Sequence, residues 1–156
     1  MARRSAGILL HRPAADGGVE VLLVHPGGPF WARRDAGAWS LPKGEHGDHE
    51  EPVACALREL EEELGERPPL GELVDLGEVR QKSGKVVRAW AAQGDFDPAR
   101  LRSATFEMEW PPRSGRRQTF PEVDRAAWFT PAQAAEKLVG AQVAFVERLL
   151  EHIARG

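Results

Sequence analysis

The sequence predicts an α/β protein, a three-layer α/β/α sandwich built on a mixed β-sheet. Three observations predict it. Two short apolar runs near the start, SAGILL and EVLLVH, are separated by the turn-rich RPAADGG. An acidic stretch in the middle carries the punctuation of a helix. The tail repeats apolar residues at helical spacing, and further strand-like runs lie between the two helical regions. Helices that alternate with strands in this order pack on the faces of a sheet.

At 156 residues the chain is long enough to bury a sizeable core in one domain, taken as residues 1–156. Its apolar fraction of 42% and charged fraction of 29% are those of a soluble globular protein. A net charge of −3, with Lys and Arg scattered, gives no electrostatic footprint for a nucleic-acid polymer. No apolar run nears the roughly 20 residues that cross a bilayer, so no membrane partner is expected. The opening MARRSAGILLHRP starts like a signal peptide, but its apolar part, residues 6–10, is too short, and a cytoplasmic location is the expectation. The single Cys55 cannot form an internal disulfide and reads as a packed core thiol.

Taken in order, residues 5–10 and 20–25 read as two strands joined by a hairpin loop. His25-Pro-Gly-Gly-Pro breaks the second, and residues 30–37 form a loop with Trp31, Arg33 and Arg34. Residues 39–41 are a short extended piece held by Pro42, leading into Lys43 and Gly44. From 52 to 64 the chain has what a helix needs. Pro52 suits the first helical position, Glu50 and Glu51 face the positive end of the dipole, and Gly65 terminates in the left-handed conformation. After a proline-rich connector, residues 73–81 and 85–93 read as a hairpin turned at Ser83-Gly84. TFEMEW, residues 105–110, alternates strictly as a strand; 111–119 reads as a flexible basic loop and 125–129 as the last strand. Thr130, Pro131 and Gln133 supply an N-cap, a first-position proline and a capping-box partner for a short helix ending near Gly140. A second helix follows, with Val143, Val146, Leu149, Leu150 and Ile153 at core spacing.

The stretch 41–66, LPKGEHGDHEEPVACALRELEEELGE, organises the rest. Glu59, Glu62 and Glu63 are related as i, i+3 and i+4, so a helix puts them on one face. Like charges at that spacing repel by about 0.2–0.5 kcal/mol per pair. A divalent cation with oxygen ligands is the natural compensation. Alone, such a run reads as a solvated acidic face. The residues before it change that reading. Gly44, five residues, Glu50, seven residues, Arg58-Glu59-Leu60, one residue, Glu62-Glu63, one residue and Gly65 reproduce the Nudix box. Here the chain resembles the Nudix hydrolase family. The pattern's final apolar position is Glu66, past the helix, which bears on packing more than on chemistry.

The resemblance implies the same Nudix-type sandwich and a pyrophosphohydrolase dependent on Mg²⁺ or Mn²⁺. Its substrate is a small nucleotide, a nucleoside diphosphate linked to another moiety, such as a dinucleoside polyphosphate or an NTP. By motif position Glu59, Glu62 and Glu63 are metal ligands and catalytic groups, and Gly44 supplies backbone geometry or a carbonyl ligand. Arg58 is expected to tie the helix to the loop by pairing with Glu50 while pointing off the metal face, so Glu50 supports the ligands from behind. A further carboxylate is expected to complete the catalytic and metal set. Glu122, in FPEVDRAAWF, is the first choice, with Glu107 and Glu109 as alternatives. Lys43 suits a phosphate as a point charge, and Trp-x-x-Pro-Lys-Gly resembles the dinucleoside polyphosphate and diphosphoinositol polyphosphate branches. Arg33 and Arg34, with Arg113, Arg116 and Arg117, lie in loops that could bound a phosphate channel. Trp31 and Trp110 are candidates to stack a base, while Trp39, Trp90 and Trp128 are read as core. The run from AGILLHR to SLPKGE looks like a bacterial branch described as NTP pyrophosphohydrolases, MutT-like in character. A homodimer is left open. The alternative function is a non-catalytic module of the same fold that senses a nucleotide. Such modules typically lose box carboxylates, and this chain keeps them.

Overall fold

A computed structural model describes residues 3–156; Met1 and Ala2, at the head of the stretch weighed above as a signal peptide, lie outside them. The two apolar runs do not alternate with polar residues, so each needs cover on both faces. They become the central strands β1 (Arg4–Pro13) and β2 (Val19–Pro26). The other elements are β3 (Lys43–Glu45), α1 (Pro52–Leu64), β4 (Val74–Arg80), β5 (Val86–Gln93), β6 (Thr105–Glu109), β7 (Arg117–Pro121), β8 (Val123–Phe129), α2 (Pro131–Lys137) and α3 (Val143–Arg155). Among the described residues the main sheet runs β4-β5-β1-β2-β8, with β3 paired to β1. The β1–β5 pair is parallel and its neighbours antiparallel, so the sheet is mixed.

Side chains alternate across the sheet and build two cores. Ile8, Leu10, Leu22, Val24 and Trp90 pack with Cys55, Ala56, Leu60 and Leu64 of α1. Leu9, Val21, Leu23, Ala89 and Ala91 pack on the opposite side with Ala134 of α2 and with Phe145, Val146 and Leu149 of α3. This is the three-layer sandwich that the apolar runs required.

Helix α1 starts at Pro52 and stops at Gly65, whose φ of +89° is left-handed. The carbonyls of its last turn, which no helical N–H can reach, are taken up by the chain that follows. Arg102 N–H donates to Leu64 O at 3.0 Å and Ala104 N–H to Glu62 O at 2.9 Å. A Cβ at Gly65 would lie 2.5 Å from Arg102 O, so this close approach needs glycine as much as the φ does.

Two expectations are corrected. The last three residues of the stretch read as a flexible basic loop, 117–119, belong to β7, which pairs with β6 in a separate two-stranded ribbon outside the main sheet. Its residues are exposed apart from Phe120, so RQTFP has no apolar alternation to announce a strand. The first tail helix stops at Lys137, three positions short of the expected end, and Gly140–Gln142 form a single 3-10 turn before α3. Trp39 and Trp90 are buried as expected. Trp128 is half-buried and donates from Nε1 to Phe96 O at 2.9 Å. Among the described residues no helix is long and apolar enough to cross a membrane.

Candidate active site

Three segments converge where α1 ends. Strand β3 pairs Gly44 with Ala6 and Lys43 with Gly7 on β1, which brings the Lys43-Gly44 step against the helix. From α1 come Glu59, Glu62 and Glu63. The third segment precedes β8. Ala104 is bonded to Glu62 O, and Glu122 N–H donates to Ala104 O at 2.8 Å, so two backbone bonds fix Glu122 relative to the helix end. Ser103 strengthens the link, because its Oγ accepts from Val123 N at 3.1 Å and lies 3.0 Å from Val123 O. The result is a cavity of about 270 Å³ lined by Lys43, Gly44, Glu59, Glu62, Glu63, Ala104 and Glu122.

The approach at Gly44 is the closest in the site. A Cβ there would lie 2.0 Å from Glu59 Cδ, so the carboxyl occupies the space that any side chain would need. The Gly44 carbonyl accepts a weak bond from Cys55 Sγ at 3.3 Å and keeps a second lone pair. Burial, with the charge of Glu50 adding to it, raises the Cys55 thiol to about 11. That suits an inert core thiol.

Arg58 makes the paired bonds expected with Glu50, Nε to Oε2 and Nη2 to Oε1, both at 2.9 Å. It does not point off the carboxylate face. Nη1 also donates to Glu59 Oε1 at 2.9 Å and to Glu62 Oε1 at 3.2 Å. One guanidinium thereby orients two of the three helix carboxylates. Its hydrogen bonds hold Glu50 below the usual carboxylate range. Glu59 is shifted the other way, raised first by burial and then by the charge of Glu62. Glu63 is raised to about 8, chiefly by burial and further by Glu59 and Glu122, with Lys43 opposing. Burial and the neighbouring Lys85 lower Lys43, against the pull of Glu63, Glu45 and Glu59.

A second cavity, also of about 270 Å³, adjoins the first through Lys43, Glu63 and Glu122. Its other walls are mostly apolar and include Val24, Trp31, Ala38 and Val139, with the polar Ser40 and Gln81. Trp31 is 39% exposed, and the Arg34 guanidinium lies 5.5 Å from its ring centre. Arg33 and Arg34 are exposed and line neither cavity. Arg34 meets the fold through its backbone instead, its carbonyl oxygen 2.6 Å from Nε2 of the buried His25. Glu107 and Glu109 lie on the outer ribbon, near Arg117 and bonded to Gly115 N respectively, and line neither cavity. Trp110 packs edge-on against Phe30 at 5.5 Å. Glu66, at the departure from the box pattern, pairs with Arg100 at 2.8 Å.

The donor set suits a hard divalent cation, since it offers carboxylate oxygens and a backbone carbonyl. Among the described residues no three His, Cys, Asp or Glu side chains close on a single point. The carboxylates share a cavity wall, and Arg58 supplies the positive charge that stands among them. Sequence reasoning missed Ser103, Ser40, Gln81 and Gln142. Each acts through a contact with a residue distant in the chain, for which a single sequence carries no local signal.

Carboxylates gathered beside a lysine, next to a mostly apolar chamber, suit a hydrolase of phosphoanhydride bonds, because the phosphates need cations and the chamber can take an uncharged group. That is the class the fold and the cavity define. The NUDIX domain model matches residues 1–149, and the chain belongs to the Nudix family, whose nucleotide pyrophosphohydrolases act on such bonds. No curated protein sequence matches the chain. Among solved structures it is similar to a C. elegans Ap4A hydrolase in a binary complex, at 18% identity over 97% of this chain and 99% of that one, with a TM-score of 0.69. It is similar to the NUDIX domain of Shewanella oneidensis NrtR complexed with ADP ribose, at 18% identity over 98% and 89%, with a TM-score of 0.64. It is also similar to a MutT protein from Methanosarcina mazei Go1, at 20% identity over 97% and 95%, with a TM-score of 0.61. At these identities the likeness is one of fold.

Proposed function

We propose that residues 1–156 act as one domain, a metal-dependent pyrophosphohydrolase that cleaves a nucleoside diphosphate linked to another moiety. One observation carries the reading: Lys43, Glu59, Glu62, Glu63 and Glu122 share a cavity that opens into a second chamber walled by Trp31. Glu59, Glu62, Glu63 and Glu122, with the Gly44 carbonyl, are the groups that would hold Mg²⁺ or Mn²⁺. When bound, the cation supplies charge neutralisation at the phosphates and lowers the pKa of a water.

The other roles belong to this chain's side chains. Arg58 and Glu50 hold Glu59 and Glu62 in place, so these carboxylates meet a substrate without reorganising. Lys43 is half-buried among glutamates and can meet a phosphate as a point charge. Burial and the charges of Glu59 and Glu122 raise Glu63, so a cation bound there displaces a proton and is held more weakly as pH falls. Trp31 provides an aromatic face for a base in the second chamber, and Arg34 beside it adds positive charge at the rim.

The test is product release from a panel of nucleoside triphosphates and dinucleoside polyphosphates with Mg²⁺ or Mn²⁺, beside Glu62→Gln and Glu63→Gln. Cleavage that each substitution lowers by about 10²-fold or more supports the reading. Nucleotide binding with no cleavage of any panel member points instead to the sensing module.

A further inference from the structure

The polar wall of the second chamber has its hydrogen-bonding sense set from behind. Gln142 is fully buried. Its Oε1 accepts from the Leu41 backbone N–H at 3.1 Å. A backbone N–H only donates, so this bond decides which end of the Gln142 amide is oxygen. Nε2 then faces the other way and donates to Ser40 Oγ and to Gln81 Oε1, both at 3.1 Å. Ser40 can accept because its own proton goes to Leu41 O at 2.7 Å. Every donor and acceptor in the relay has one consistent assignment.

The consequence falls on Gln81, which lines the chamber. Its oxygen is turned toward Gln142, from which it accepts one bond. The amide's other side, the donor pair on Nε2, has no protein acceptor among the described residues. Turning the Gln81 amide round would set nitrogen against nitrogen and waste both groups, so the relay locks it.

We propose that Gln81 is a specificity-determining residue that turns its amide donors, rather than its oxygen, toward a bound base. The chamber then selects a base with a keto oxygen at that edge over one with an amino group there. At that edge an amino group meets N–H with N–H, where a keto oxygen accepts a bond. The inference rests on reading the chamber as a base site, and it adds which bases that site accepts.

The experiment measures nucleoside binding to the full chain by NMR titration, comparing inosine with adenosine and uridine with cytidine. Nucleosides carry no phosphate, so the measurement is independent of cleavage and of metal. The keto member of each pair is expected to bind about tenfold tighter, the scale of one well-made hydrogen bond. Gln81→Glu still accepts from Gln142 but turns an acceptor to the chamber, and the preference reverses. Gln81→Met removes both functions, and the ratio falls to near one. A ratio that stays the same in all three proteins overturns the proposal, as does the absence of nucleoside binding. Nucleotide hydrolysis is scored apart: its absence counts against the hydrolase reading, and the nucleoside ratios still decide this one.

Discussion

Replacing Gly44 by alanine tests the site at its tightest point. The added methyl lies 2.0 Å from Glu59 Cδ and 2.3 Å from each carboxyl oxygen, where ordinary contact begins at 3.4 Å. Glu59 must therefore withdraw by about 1 Å or more. It has little freedom to do so, because Arg58 Nη1 holds its Oε1 at 2.9 Å and only 15% of the side chain is exposed. The backbone cannot retreat easily either, since Gly44 is paired with Ala6 on β1 and bonded to Cys55. Overpacking of this kind costs about 1–3 kcal/mol. In a domain of this size each kcal/mol lowers Tm by about 2–4 °C. A shift of about 1 Å in a positioned catalytic carboxylate also costs about 10²-fold in rate.

Thermal unfolding followed by circular dichroism reads the first effect, and initial rates of nucleotide hydrolysis at fixed Mg²⁺ read the second. The decisive comparison adds Glu59→Asp. Shortening the side chain by one methylene draws the carboxyl away from the new methyl, so Gly44→Ala should cost less stability when Glu59→Asp is already present. The coupling between the two changes is expected at about 0.5–3 kcal/mol. Activity is not expected to return, because a carboxylate that has retreated no longer faces the cavity. Losses that simply add, or an alanine variant with unchanged Tm and rate, would refute the claim that Glu59 fills the space above Gly44.

Four further outcomes are expected. Arg58→Lys keeps a charge but loses the fork that grips Glu50, so activity should fall about 10–100-fold with KM changed far less, as steady-state kinetics will report. Glu63, raised from 4.5 to about 8, binds its proton more tightly folded than unfolded; its contribution to stability is complete below about pH 4.5 and lost as pH rises through about 8. In EDTA, then, Tm should decline across that window, and Glu63→Gln should flatten the decline. Thr130 accepts from Gln133 N at 3.2 Å in a complete capping box, so Thr130→Ala should cost about 1 kcal/mol, measured by urea unfolding. The Cys55 thiol, buried and raised to about 11, should resist a thiol reagent at pH 8 until the protein is unfolded.

How much of this was legible in the sequence depends on whether a residue's meaning is local. Helix α1 was legible to the residue, because Pro52 and Gly65 are start and stop signals and the three glutamates need only helical geometry to share a face. The two-sided burial of β1 and β2 was legible for the same reason, since an unbroken apolar run excludes a solvent-facing side. Strand β3 was not, because three residues of Lys-Gly-Glu hold no period and the strand exists through its pairing with β1. Arg58 shows a different failure. Its place in the sequence suggests that it faces away from Glu59, but an arginine is long enough to bend back and meet Glu62 at i+4, as helical ion pairs do. Glu122 could be nominated from its place before the last strand. What holds it, the backbone bonds through Ala104 with Ser103 Oγ bonded to Val123 beside them, joins segments too far apart in the chain to be read from either one. The polar relay is the extreme case. Ser40, Gln81 and Gln142 are ordinary residues on their own, and each acquires a sense of donation only beside the other two, across sequence separations of 61 and 102 positions. The chemistry of the site is therefore written on one helix, where a motif can announce it. The choice of base proposed for the second chamber would be written across three distant segments, readable only once the fold has brought them together.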